Sequence, residues 1–332
     1  MDLQNATNRI AAQGELVTKI KNEVGKVIVG QEKLVDRLVL ALVSDGHILL
    51  EGVPGLAKTL SVNTLAKVLG LDFKRVSFTP DLLPADVVGT LIYSPKTGEF
   101  APKKGPVFTN MLLADEINRA PAKVQSALLE SMQEKQVTIG ETTYELPKPF
   151  LVLATQNPIE QDGTYPLPEA QMDRFMFKLL VFNPGLEDLM SIVTMTQKTM
   201  EETADAACSG EQLLKMRKTA NKIPVATDVL RYAMILTSAT HPDSEYAAEA
   251  TKKYVRLGAS PRAGQALISA GKVLALIKGR FNVSYNDINE MAKAVLRHRL
   301  KLNFEAIAEG LTADDIVARI IEEVESKYKG KK

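Results

Sequence analysis

Leu49-Leu50-Glu51-Gly52-Val53-Pro54-Gly55-Leu56-Ala57-Lys58-Thr59 is the stretch on which the reading of this chain turns. A continuously apolar run ends in a Gly/Pro turn, and a Lys-Thr pair followed by Leu60 opens a helical pattern. Strand, tight turn and helix start, in that order, build a phosphate cradle. Glycines let the backbone curl with successive N–H groups pointing inward, and the helix N-terminus adds its dipole. Lysine supplies a cation to the β- and γ-phosphates, and the threonine hydroxyl suits Mg2+. The pattern GxxxxGK[ST] is met at Gly52, Lys58 and Thr59, with Ala57 where the last glycine is usual. Alanine there requires a negative φ or a modest strain. By itself the segment also fits an ordinary strand-to-helix turn with an incidental lysine, so its surroundings have to decide.

The chain is 332 residues long, which predicts one large and one smaller domain. Its apolar fraction of 45% is ample for a core, and 41 basic against 40 acidic residues leave a net charge of +1. That balance argues against a global basic field for nucleic acid or an acidic membrane, though not against a local groove. The single cysteine, Cys208, excludes an internal disulfide and fits a reducing compartment. No apolar run approaches the roughly 20 residues of a membrane span. The N-terminus lacks the basic-then-apolar order of a secretion signal. A soluble, cytoplasmic protein is expected.

Apolar runs at His47–Leu50, Phe73–Phe78, Met111–Ala114, Phe150–Ala154 and Phe177–Val181 read as strands, and such runs suit a parallel sheet covered on both faces. Helical patterns precede them at residues 2–27 and Gln31–Ser44. Others separate them at Thr59–Leu69, Pro121–Gln133 and Leu167–Phe175. The alternation predicts an α/β doubly wound sheet. Leu91–Val107 and Lys135–Tyr144 read as hairpins inserted into it, with irregular loops the alternative. After Asn183-Pro184-Gly185 only helices follow: Leu186–Thr203, Glu211–Ala220, Asp228–Thr240, Pro261–Lys278, Tyr285–Leu300 and Thr312–Ser326. A short strand at Asn282-Val283 is the one exception considered. Thr227-Asp228 and Ser284–Asp287 are read as helix caps. A boundary near 183 therefore separates an α/β domain, 1–183, from a helical domain, 184–332.

Four further stretches carry chemistry. Met111-Leu112-Leu113-Ala114-Asp115-Glu116 is an apolar strand ending in adjacent carboxylates. An unpaired buried charge is costly, so acids there need a reason. Mg2+ beside ATP is one, with Asp115 holding the metal through water and Glu116 polarising the attacking water. Thr155-Gln156-Asn157-Pro158 follows another apolar strand, and parallel strands expose their carboxyl ends together. Asn157 or Thr155 could orient that water. Arg174, beside Phe175-Met176-Phe177, could be the second cation that a γ-phosphate needs, supplied to a neighbouring subunit. A surface Asp173–Arg174 pair is the plainer alternative. Ser260-Pro261-Arg262 opens a helix with a cation in its first turn, where the dipole disfavours it. A facing phosphate would explain that placement, and so would a surface salt bridge. Arg297-His298-Arg299 and Lys103-Lys104 are read as solvated basic faces. His47, His241 and His298 lack zinc-ligand spacing.

Together these stretches resemble the AAA+ ATPases, and closely the MoxR family. The resemblance covers about residues 15 to 305. It rests on Val29-Gly30-Gln31, GVPGLAKT at 52–59, FTPDLLPADVVGT at 78–90 and GPVFTNMLLADEINRAPAKVQSALLESMQE at 105–134. It continues through VTIG at 137–140, ATQNPIEQDGTYPLPEAQMDRF at 154–175 and SPRA at 260–263. Ala57 is common in that family's loop. The resemblance implies a P-loop ATPase core with an all-α lid. Gly52, Pro54, Gly55, Leu56, Ala57, Lys58, Thr59 and Leu60 would hold the nucleotide, and Thr59 and Asp115 the Mg2+. Val29 and Gly30 would line the adenine. Glu116 would be the catalytic acid, Asn157 sensor 1, Arg174 the trans-acting arginine finger and Arg262 sensor 2, with Arg119 an alternative finger. It further implies a homo-oligomeric ring, expected to be hexameric. Client proteins matured or activated by the ring and a partner with a von Willebrand factor A domain are also implied. The two hairpins would face the pore or the partner. A DNA-dependent motor and a non-hydrolysing ATP-binding scaffold are the alternatives. Near-neutral charge opposes the first, and intact Lys58, Asp115 and Glu116 oppose the second.

Overall fold

The computed structural model describes residues 3–52, 58–96, 98–157, 163–181, 183, 185–196 and 203–328. Two helices, α1 (Leu3–Gly25) and α2 (Glu32–Ser44), come first. Strands and helices then alternate as β1 (Ile48–Glu51), α3 (Lys58–Val68), β2 (Phe73–Ser77) and α4 (Pro84–Val88). A hairpin of β3 (Gly89–Ser94) and β4 (Glu99–Lys104) precedes β5 (Met111–Asp115), a 3-10 turn at Ile117–Arg119 and α5 (Ala122–Glu134). A second hairpin, β6 (Gln136–Ile139) and β7 (Thr142–Glu145), leads to β8 (Leu151–Gln156), α6 (Glu169–Met172) and β9 (Phe177–Leu180).

The central sheet has five strands in the order β2-β5-β8-β1-β9. β2, β5, β8 and β1 pair in parallel, with Ala114 level with Ala154 and Leu50 level with Thr155. Leu49, Leu50, Leu112, Leu113, Val152 and Leu153 are fully buried. Continuous apolar runs are what a sheet with both faces covered demands, and each such side chain contributes about 1.5–3 kcal/mol. β2 lies at the sheet edge, and its residues Lys74 and Arg75 are exposed. Both hairpins form where the sequence places them. The first exposes Leu91, Ile92, Tyr93 and Phe100, the last two in ring contact at 5.4 Å.

The helical part comprises α7 (Leu186–Thr196), α8 (Gly210–Asn221), α9 (Thr227–Ser238), α10 (Glu249–Tyr254), α11 (Pro261–Ile277), α12 (Tyr285–Leu296), α13 (Phe304–Ala308) and α14 (Ala313–Tyr328). A small antiparallel ribbon, β10 (Val255–Leu257) with β11 (Lys301–Leu302), interrupts it. By contacts the chain divides into one unit of residues 16–174 and 179–214 and another of 1–15, 175–178 and 215–332. Among the described residues, no helix is long and apolar enough to cross a membrane. Cys208 is free and buried, and burial pushes its thiol pKa up.

Several local expectations are corrected. The helix expected over Leu167–Phe175 shrinks to Glu169–Met172, because Pro166 and Pro168 hold their neighbours extended and Phe175 runs toward β9. Asn282-Val283 is not a strand. Thr227 does not cap α9, whose N-cap is Ala226 without a side-chain bond. Arg297-His298-Arg299 is not a solvated face. His298 and Arg299 are buried, and Arg297 pairs with Asp314 at 2.8 Å. Buried cations need partners, and Arg299 donates to the carbonyls of Phe175, Met176 and Val295. His298 Nε2 lies 3.0 Å from the Phe175 carbonyl, and burial together with neighbouring Arg299 holds its pKa well below 6.5. Lys104 stays exposed, over the rings of Phe108 and Tyr144.

Ser284 and Asp287 form the expected capping box on α12. The Asp287 side chain is only 1% exposed. Its Oδ2 accepts from Arg280 Nη1 and Ser284 Oγ, each at 2.8 Å. Burial alone would raise its pKa, but Arg280 and Ser284 outweigh burial and hold it below 3.8. A depressed folded-state pKa means that the stabilisation is complete above the unfolded value and is lost as pH falls through the folded one. Asp287→Ala is expected to cost about 2–3 kcal/mol, below the full penalty for a broken buried pair because Arg280 can rehydrate. Urea titration at pH 7 reads the loss, and the difference from the parent should vanish in acid below the carboxylate range.

Candidate functional site

β1 ends beside β8, with the Gly52 amide donating to the Gln156 carbonyl at 3.4 Å. A Cβ at Gly52 would stand 2.7 Å from the Val181 carbonyl oxygen, so only glycine passes here. Val53–Ala57, including Pro54, Gly55, Leu56 and Ala57, lie outside the described residues. Lys58 opens α3, and its Nζ donates to the Gly52 carbonyl at 2.6 Å. Burial pushes the Lys58 pKa down, while the charges of Asp115 and Glu116 pull it up. Both carboxylates are therefore electrostatic neighbours of this ammonium. Thr59 and Leu60 follow in the first turn of α3, with Thr59 half-buried and Leu60 exposed.

Asp115 closes β5, and both its oxygens are engaged. Oδ1 accepts from Thr155 Oγ at 2.6 Å, and Oδ2 accepts from Arg75 Nε at 3.1 Å and Nη2 at 2.5 Å. Glu116 stands in the left-handed region at φ 57° and ψ 48°. A non-glycine residue there costs roughly 1–2 kcal/mol, and its amide is pinned by donating to Thr155 Oγ at 2.9 Å. The Glu116 carboxylate accepts from Arg119 Nη1 at 2.9 Å. Thr155 is buried, and its hydroxyl joins the Glu116 amide to the Asp115 carboxylate. Asn157 follows the end of β8, half-buried. Parallel register brings the ends of β1, β5 and β8 to one sheet edge, and with them Gly52, Asp115–Glu116 and Thr155–Asn157.

Arg174 is placed differently. Its Nη1 donates to the Leu129 carbonyl of α5 at 2.9 Å. It lines a cavity of about 220 Å3 with Ser126, Glu130, Gln133, Glu134 and Gln171. Arg262 lies in the first turn of α11, its amide donating to the Ser260 Oγ cap at 3.2 Å, and belongs to the other unit. Val29 and Gly30 form the turn before α2. Gly30 has φ +73°, and a Cβ there would come 2.9 Å from Cγ of Asp188 in α7. Left-handed backbone and that close approach both require glycine.

The donor set suits the expected groups. The Thr59 hydroxyl and the Asp115 carboxylate are hard oxygen ligands of the kind Mg2+ takes, and Lys58 offers a cation to phosphate. Sequence reasoning missed Arg75, which sits on β2 opposite Leu113 and reaches diagonally to Asp115. Its signal was a cation in an edge strand flanking the acidic one. Asp188 was missed because it is close to Gly30 only through folding.

Residues 47–177 match the family model described as ATPase family associated with various cellular activities (AAA), and residues 247–320 match the AAA lid domain model. Chaperone MoxR1 of Mycobacterium tuberculosis is 45% identical over 95% of this chain and 83% of its own length. The chain belongs to the MoxR family of AAA+ ATPases. Protein MoxR of Paracoccus denitrificans is a more distant MoxR relative, 30% identical over 83% of this chain and 86% of its own length. The crystal structure of a Cytophaga hutchinsonii protein assigned as an ATPase superposes with a TM-score of 0.91. It is 48% identical, over 97% of this chain and 98% of that one. For a MoxR-family chain, the α/β core followed by a helical lid is the expected architecture, and the β10–β11 ribbon lies within the residues matched to the lid model.

Proposed function

We propose that this chain is a Mg2+-dependent ATPase that works as a homo-oligomeric, hexameric ring and remodels client proteins in the cytoplasm. The observation that carries the reading is the pair Asp115–Glu116 at the end of β5, on the same sheet edge as the turn after β1 that Lys58 closes on the Gly52 carbonyl. In this proposal the α/β domain spans 1–183 and the lid 184–332.

ATP lies with its phosphates between the turn after β1 and the end of β5. Lys58 balances the phosphate charge, and Thr59 and Asp115 are the residues that would hold Mg2+. That ion would supply positive charge against the charge that develops on the phosphates. Residues 52–60 cradle the phosphates through backbone N–H groups, and the Val29-Gly30 turn lines the adenine. The Glu116 carboxylate accepts the proton of the water attacking the γ-phosphorus as the bond from that phosphorus to the β,γ-bridging oxygen breaks and ADP leaves, and Asn157 orients that water. Arg262 is assigned the sensor 2 role in this proposal. Arg174 serves the neighbouring subunit. Its bond to a carbonyl of α5 supports that role over Arg119, which pairs with Glu116 in its own subunit.

Similarity to a protein named Chaperone MoxR1 supports chaperone-like remodelling. Maturation or activation of clients, by metal or cofactor insertion or complex assembly, is the proposed task. A partner with a von Willebrand factor A domain is proposed from the family resemblance. The exposed Ile92, Tyr93 and Phe100 of the first hairpin offer an apolar contact to a client or partner. Phosphate release from Mg2+-ATP, followed over a protein concentration series alongside sedimentation, tests the reading. Specific activity should rise as the ring assembles. Nucleotide binding without phosphate release at any concentration would leave a scaffold instead, and stimulation by DNA that falls steeply with salt would indicate a DNA motor.

A further inference from the structure

We propose that Arg75 is a built-in competitor for the metal at Asp115, and that it sets how much Mg2+ is needed to load nucleotide. The inference rests on the reading of Asp115 as a metal-holding carboxylate. Arg75 stands opposite Leu113 on the neighbouring strand, one pleat short of Asp115. Side chains two apart on a strand share a face, so its guanidinium reaches the carboxylate diagonally. Nε at 3.1 Å and Nη2 at 2.5 Å both fall on Oδ2, while Thr155 Oγ takes Oδ1 at 2.6 Å. The lone pairs a cation or its bound water would use on Oδ2 are thus partly taken by a fixed positive group.

This occupancy is exchangeable. The Arg75 side chain is 49% exposed and that of Asp115 21% exposed, so the pair is solvent-screened and worth little by itself. A guanidinium holds its charge at any working pH and cannot be neutralised to make way. Loading Mg2+ with nucleotide therefore requires the guanidinium to swing out toward solvent, where its exposure leaves room. The same cation offsets Asp115 against incoming phosphates while the metal is absent.

The test titrates MgCl2 into the full-length protein with a fixed concentration of an N-methylanthraniloyl ATP analogue, reading fluorescence rather than turnover. Arg75→Ala and Arg75→Gln are expected to lower the Mg2+ midpoint by about five-fold, equivalent to about 1 kcal/mol at 1.4 kcal/mol per tenfold. Arg75→Lys, which keeps the charge but loses the planar fork, should fall between them and the parent. An unchanged or raised midpoint in both Arg75→Ala and Arg75→Gln overturns the inference. Asp115→Asn, run in parallel, should raise the midpoint. If it does so while the Arg75 variants do not move, only the role of Arg75 fails. If Asp115→Asn titrates like the parent, the metal reading of Asp115 fails and the Arg75 inference with it.

Discussion

Glu116→Gln is expected to retain ATP binding and to lose turnover by roughly 10²–10⁴-fold, the range for removal of a general base. The substitution is nearly isosteric. Its amide oxygen can still accept the Arg119 hydrogen bond that now falls on Oε2 at 2.9 Å, and the backbone bond to Thr155 Oγ is untouched. The left-handed backbone of Glu116 is therefore kept, and what is lost is a carboxylate able to take a proton. Equilibrium binding of a nucleotide analogue and phosphate release, measured on the same preparation, separate the two effects. Equal turnover in variant and parent removes Glu116 from the mechanism. The same variant, held in ATP, should retain clients and partners long enough to identify them.

Arg174→Ala is expected to lower turnover by about 10³–10⁵-fold in the assembled ring, as removal of an arginine finger does elsewhere. Its folding cost should be small, because the side chain gives up one hydrogen bond, to the Leu129 carbonyl, about 1 kcal/mol. The trans assignment has its own check. Mixed rings of Arg174→Ala and Lys58→Ala subunits contain interfaces with an intact phosphate loop on one side and an intact Arg174 on the other. Such mixtures should recover a fraction of the parent activity that neither variant shows alone. Normal hydrolysis by Arg174→Ala in a ring, or no recovery on mixing, counts against the finger. In that event Arg119→Ala becomes the variant to compare.

Apolar runs and turn residues are local signals, and they were sufficient for the sheet. The burial of Leu49–Leu50, Leu112–Leu113 and Val152–Leu153 follows from their continuity, since only a doubly covered strand hides every residue. Gly52 and Gly30 were legible as glycines at turns. Their reason, a Val181 carbonyl and an Asp188 carboxylate at contact distance, was not. The basic run 297–299 misled because charge alone says nothing about backbone carbonyls delivered from residues 175 and 176. The helix over 167–175 is cut short because Pro166 and Pro168 hold their neighbours extended whatever the apolar spacing.

By itself, then, the sequence determined the doubly wound α/β core, its two hairpins, the helical part that follows, and the residues to seek at the strand ends. Each is set by periodicity, turn chemistry or a motif within a few positions. Only the tertiary structure decided what those residues touch. Thr155 joins Asp115 to Glu116, and Arg75 covers Asp115, through partners separated by 40 positions in the chain. Strand order and register create those pairs, and neither is written in any one segment. That is why the strand, turn and Lys-Thr pattern is legible within one segment, while the arginine paired with Asp115 emerges only once β2 and β5 are paired.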